Sequence, residues 1–176
     1  VYTFQINTVP AVTVPTFNNT APRTNDDLRT NTTYTDTDSD TGTVTFRWLI
    51  NATVRYTENY TDVAHGTVVF SNFSSGFFGL ADRINVTVNA TDGTGGIGPA
   101  NSTNITVLDT ASNITTPLFN NTAPKTFEDI LANTTYTDPD GTAGIVEFRW
   151  YVNNTYIRNA TFSNVANGTV LTASFN

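Results

Sequence analysis

The chain has no cysteine and no methionine, a single histidine, and only 8 basic against 15 acidic residues in 176. Without cysteine there is no disulfide framework, no thiolate nucleophile and no cysteine-ligated zinc. Without methionine, the sequence is expected to begin after a cleavage, at Val1. The net charge of -7 leaves no basic patch for nucleic acid or anionic lipid. No run is long and apolar enough for a transmembrane helix, which predicts an extracellular chain whose targeting segment has been removed. Catalytic constellations are equally thin. The three glutamates, Glu58, Glu128 and Glu147, offer no carboxylate pair of glycosidase spacing. The glycines within 93–98 lie between strand-like runs, so they do not make a phosphate loop. No enzymatic activity is expected.

What is present is a repeat. NTTYTDTDSDTGTVTFRWLINAT at 31–53 returns as NTTYTDPDGTAGIVEFRWYVNNT at 133–155, an offset of 102. FNNTAP at 17–22 returns at 119–124 and Gly66-Thr67-Val68 at 168–170 with the same offset and no gap. A constant offset over such a span means one structural unit used twice, each of β-sandwich size. The lone His65 falls on Asn167, so the repeat needs no imidazole there and the residue reads as part of a turn. The second copy ends at Asn176, which aligns with Ser74, so nothing in it matches 75–108.

Strands are predicted near 28–36, 43–51, 53–57, 66–73, 83–91 and 103–108, with Asp/Gly turns between them. Val44, Phe46, Trp48 and Ile50 share one parity and return as Val146, Phe148, Trp150 and Val152, so each unit points a mid-strand tryptophan into its core. The fold expected is all-β: two tandem immunoglobulin-like antiparallel sandwiches with an N-terminal donor strand, the second sandwich incomplete. The domains expected are 1–15 as donor strand and linker, 16–110 as the first sandwich and 111–176 as the second.

Asn-X-Ser/Thr triplets are dense. The 21 asparagines with a residue two places on, and 44 serines and threonines, would give about five by chance, and there are fifteen. They begin at Asn18, Asn31, Asn51, Asn59, Asn72, Asn85, Asn89, Asn101, Asn104, Asn113, Asn120, Asn133, Asn153, Asn159 and Asn167. Where strands alternate they take the polar parity, the only face able to carry a glycan. N-linked glycans are therefore expected along both units.

Residues 1–8 alternate Tyr2, Phe4 and Ile6 with smaller or polar neighbours, as a half-buried strand does. By position relative to Phe17 they match 103–108 relative to Phe119, the last strand of a unit. The strand could serve a neighbouring copy, giving a head-to-tail homopolymer, with Tyr2, Phe4 and Ile6 facing inward. Two other readings stay open: a monomeric or tethered adhesin stalk that binds a receptor or glycan, and a window cut from a longer array. Asp36, Asp38 and Asp40 before Gly42, with Asp138 and Asp140 before Gly141, are the oxygen ligands calcium takes, and equally the residues of ordinary turns.

TDPDGTAGIVEFRWYVN, the FNNTAP segments and NVTVNATDG together resemble the tandem immunoglobulin-like (PKD- or cadherin-like) repeats of microbial, especially archaeal, cell-surface glycoproteins, over 17–176. The resemblance implies surface arrays, adhesion or filaments rather than catalysis. In the logic of its missing and spare strands the chain also resembles donor-strand-assembled pili and glycosylated extracellular fibrils.

Overall fold

A computed structural model describes residues 6–175, which divide into two compact units, Val1–Asp109 and Thr110–Asn176. In the first, alternating apolar residues and Asp/Gly turns give β1 (Ala11–Val12), β2 (Thr16–Phe17), β3 (Leu28–Thr35), β4 (Gly42–Ile50), β5 (Thr53–Val63), β6 (Val68–Phe73), β7 (Arg83–Asp92) and β8 (Asn101–Thr106). One antiparallel sheet joins β1 and β2 to β3 and β3 to β6, and the other runs β5-β4-β7-β8. The second unit contains β9 (Asn113–Ile114), β10 (Leu118–Phe119), β11 (Ile130–Thr137), β12 (Gly144–Val152), β13 (Thr155–Val165) and β14 (Val170–Phe175). Here β9 and β10 pair with β11, β11 pairs with β14, and β12 pairs with β13. The all-β antiparallel architecture expected from the repeat is the one observed. Among the described residues no helix is long and apolar enough to cross a membrane.

The core of the first unit is the meeting of two alternating faces. Val44, Phe46, Trp48 and Ile50 from β4 and Ile84, Val86, Val88 and Ala90 from β7 pack against Leu28, Tyr34, Val69 and Phe73 of the opposite sheet. Trp48 lies flat on Phe73, their ring centroids 4.9 Å apart. The second core repeats the plan with Val146, Phe148, Trp150, Tyr136 and Leu171.

Two readings from sequence change. The segment read as a linker, ending at residue 15, contributes β1, with Val12 buried against the core. Between β1 and β2, Thr13 acts through its side chain as well as its backbone: its Oγ1 accepts the N–H of Thr33 at 2.9 Å. The strand expected at 53–57 continues to Val63; as a largely exposed outer strand it has no apolar alternation to mark its length. Both hairpins joining it and its copy β13 turn through left-handed pairs, Asn51-Ala52 and Asn153-Asn154, the two-residue turn that matches strand twist.

Gly42 opens β4 where a side chain has no room. A Cβ there would stand 2.5 Å from both the Tyr34 hydroxyl and the Thr91 carbonyl. Gly42→Ala is expected to destabilise the first unit by about 1–3 kcal/mol through overpacking, measured by urea denaturation. Gly144→Ala, whose Cβ would meet the Tyr136 ring, is expected to cost less because a side chain yields more readily than backbone.

Candidate functional site

In a sandwich, a central strand has hydrogen-bonding partners on both edges. β4 meets this with β5 on one side and, residue for residue from Gly42–Ile50, with β7 on the other. Its copy β12 pairs with β13, and among the described residues its other edge meets no strand. The side chains beneath that edge are correspondingly uncovered. Val152 is 46% exposed where Ile50 is 4%, and Ile114 is 46% exposed where Val12 is 5%. Along β12 runs a groove of about 170 Å³, lined by Val146, Phe148 and Trp150 with Ala132, Ile114 and Phe119. In the first unit the same volume is closed by Ile84, Val86, Val88 and Ala90, all fully buried.

Trp150 shows a second difference. Trp48 donates from Nε1 to Ser71 Oγ at 2.8 Å, and Ser71 donates on to Glu58 at 2.7 Å. At the repeat offset those two residues are Ala173 and Ala160. Trp150 Nε1 is buried and has no hydrogen-bond partner, a deficit of about 1–3 kcal/mol. The comparison of the two copies carries this signal in the sequence, at Ser71 against Ala173 and Glu58 against Ala160. It went unread because both positions look like ordinary core substitutions.

Arg149 reports the same vacant edge on the outer face. Its counterpart Arg47 donates to Asn89 on β7 at 2.8 Å. Arg149 instead binds Glu147 on its own strand at 2.7 Å, and this bond, ahead of one from Asn159, holds the Glu147 carboxyl below the usual carboxylate range.

Of the residues proposed to fill such a groove, Tyr2 and Phe4 lie outside the described residues. Ile6 is 71% exposed and belongs to no strand. The expected match of 1–8 to 103–108 also fails on parity. At the offset of 102, Tyr2, Phe4 and Ile6 fall on Asn104, Thr106 and Leu108, which are exposed. The inward parity of that run is Thr103, Ile105 and Val107. A bulky residue at every second position is instead the pattern of Ile84, Val86 and Val88 in β7. Just after Ile6 the chain is tied to its own unit: Asn7 Nδ2 donates to Asp92 at 3.0 Å, and the Thr8 hydroxyl donates to Asp38 at 2.7 Å.

The aspartate loops are turn anchors first. Asp36 Oδ1 accepts the N–H groups of Asp38 and Asp40 at 2.8 and 3.3 Å, and Asp138 Oδ1 does the same for Asp140 and Thr142. His65 Nδ1 accepts the Asp36 N–H at 3.0 Å where Asn167 Oδ1 accepts that of Asp138 at 2.9 Å, which accounts for the lone histidine as a turn residue. The two loops then part. Asp138 Oδ2 accepts the Tyr136 hydroxyl at 3.3 Å, whereas Asp36 Oδ2 is buried without a partner. Carboxylate oxygens of Asp36, Asp38 and Asp40 lie within 4.8 Å of one another, a donor set that fits a hard cation in the first unit. The pair Asp138 and Asp140 lacks both the third acid and the bare oxygen.

None of the fifteen triplet asparagines is buried. Most lie on outward strand faces or turns; Asn31, Asn85, Asn89 and Asn101 are half-buried among strand neighbours.

No protein-family model and no curated protein matches the sequence. Among solved structures the chain is similar to the PKD domain of an M14-like peptidase from a Thermoplasmatales archaeon, at 19% identity and a TM-score of 0.46, over 58% of this chain and 99% of that one. It is also similar to E. coli alpha-2-macroglobulin in its native conformation, at 10% identity and a TM-score of 0.45, over 98% of this chain and 15% of that one.

Asp92 gives the first unit an acid-sensitive anchor. The hydrogen bond from Asn7 leads the effects that bring its carboxyl down to about 2; burial opposes them, and bonds from Gly96 and Thr94 assist. Because the folded value lies below the unfolded one, the stabilisation is complete above pH 4 and is lost as pH falls toward 2. Thermal melts across pH 2–5 are expected to show this loss in the wild type and a flatter profile in Asp92→Asn.

Proposed function

We propose that the protein is a structural subunit of an extracellular, N-glycosylated filament assembled head to tail, in which residues 1–6 of one copy lie along β12 of the next. The observation that carries this reading is the edge of β12, unpaired above an apolar groove, at the position where β4 carries β7. An open strand edge over exposed apolar side chains is adhesive in water. An added strand satisfies its backbone groups while alternate side chains fill the groove. Tyr2, Phe4 and Ile6 supply bulk at every second position, and an antiparallel strand would stand where β7 stands in the first unit. Because donor and acceptor are different parts of one chain, the contact is heterologous and need not close, so copies propagate into a fibre.

Removing residues 1–6 while keeping Asn7 and Thr8 leaves the anchors of the first unit intact. The full chain is expected to form fibrils by negative-stain microscopy and the shortened chain to stay monomeric. A peptide of residues 1–8 should raise the melting temperature of the shortened chain, and a Phe4→Asp peptide should not. Fibrils from the shortened chain, or two equally stable monomers indifferent to the peptide, would overturn the proposal and favour the adhesin-stalk reading.

The same proposal places a calcium ion at Asp36, Asp38 and Asp40, supported by the unpartnered Asp36 oxygen. Calcium added to metal-free protein is expected to raise the melting temperature of the first unit by a few degrees, and Asp40→Asn to abolish the rise. An unchanged wild-type melt would remove the ion from the reading.

A further inference from the structure

We propose that Phe70 is a packing platform for a glycan on Asn31, so that the first sugar closes over the outer face of the β3–β6 sheet. The inference rests on the glycoprotein reading above and adds to it a specific contact. Phe70 sits on the outward parity of β6, 39% exposed, with Val68 on a face otherwise made of threonine, asparagine and arginine. The rest of the ring is covered by its own unit, and the exposed part is what a sugar could pack on. The Arg29 guanidinium lies 3.9 Å from its ring centroid and covers one face.

Asn31 stands directly opposite Phe70 in the β3–β6 ladder and directly opposite Thr16 in the β2–β3 ladder. The Thr16 hydroxyl donates to Asn31 Oδ1 at 3.1 Å. A carboxamide is planar, with oxygen and nitrogen on opposite sides of its carbon. With Oδ1 held toward β2, Nδ2 is turned toward β6, where Phe70 is. Directly opposed side chains in an antiparallel pair have Cβ atoms about 5 Å apart, so a pyranose joined to Nδ2 begins beside the ring. The electron-rich face of an aromatic ring attracts the C–H face of a sugar as it does a cation, and Arg29 occupies one of the two faces of Phe70.

The second unit is a natural control. Its ladder sets Asn133 opposite Thr172, and Leu131 stands at the position of Arg29. The asparagine is retained there without ring or guanidinium. Phe70→Thr therefore installs a residue that this strand already tolerates at the same register.

The test uses the full glycosylated chain, with occupancy at Asn31 read by glycopeptide mass spectrometry. Phe70→Thr removes the Arg29 contact in either form, and is expected to lower the melting temperature of the glycosylated chain by about 2–4 °C more than that of unglycosylated protein. In an Asn31→Gln background the substitution should have no glycan-dependent effect. Upfield ring-current shifts of the first sugar's protons should be present in the wild type and absent in Phe70→Thr. Equal destabilisation with and without glycan, or unshifted sugar protons, would overturn the platform. A bare Asn31 beside other occupied sites would overturn it alone, and a chain bare at every site would overturn the glycoprotein reading with it.

Discussion

The nine-residue ladder between β4 and β7 is the constraint on which the first unit depends. It satisfies the second edge of the strand carrying Trp48, and it delivers Ile84, Val86, Val88 and Ala90 into the space between the sheets. Those contributions are inseparable, because in a strand the backbone that pairs with a neighbour also aims every second side chain at one face. Whatever provides the hydrogen bonds therefore provides the core. At β12, where the described residues provide no such ladder, both deficits appear together: an unpaired edge, and Val152 and Ile114 uncovered.

The two copies act as an experiment performed on one design. Trp48 sits in a finished polar chain through Ser71 to Glu58, and Trp150 faces Ala173 and Ala160 with its Nε1 unmet. Arg47 reaches Asn89 across a strand boundary, and Arg149 falls back on Glu147. The aspartate loops diverge in the same way, through the partner of a single carboxylate oxygen. The units share their backbone plan and differ in which polar groups are left for something else to satisfy.

The repeat, the inward parity of Phe46 and Trp48, and the outward placement of the triplet asparagines were legible because they depend on strand periodicity and on covalent sequence alone. β1 was not, since Pro10 and Pro15 mark its segment as linker and its ladder is two residues long, completed by the Thr13 side chain. The far half of β5 was hidden because an exposed outer strand has no buried face to impose alternation. The anchoring of Asn7 and Thr8 to Asp92 and Asp38 joins residues far apart in the chain through hydrogen bonds, which no local pattern encodes. The error over 1–8 had a simple physical source: position relative to the next unit was matched while the parity of its large side chains was not.

That parity bears on how much of the sandwich one added strand can restore. Among the described residues the second unit has no counterpart of β7 or β8, and the two contribute unequally in the first. β7 buries four side chains completely, whereas the residues of β8 are half-buried or exposed, with Ile105 only packed against the rim of the core. β8 chiefly extends the sheet by pairing with the outer edge of β7. A single strand in the place of β7 would therefore close the groove and leave an edge. Two of the threonines along β8, Thr103 and Thr106, belong to Asn-X-Thr triplets, so in the first unit the edge of this sheet carries Asn101 and Asn104 as candidate glycan sites. A glycan at a sheet edge blocks further strand addition sterically, as charge or proline does elsewhere. On the filament reading, glycans on Asn101 and Asn104 would block the β8 edge, whereas β12 itself carries no triplet and stays open to an added strand.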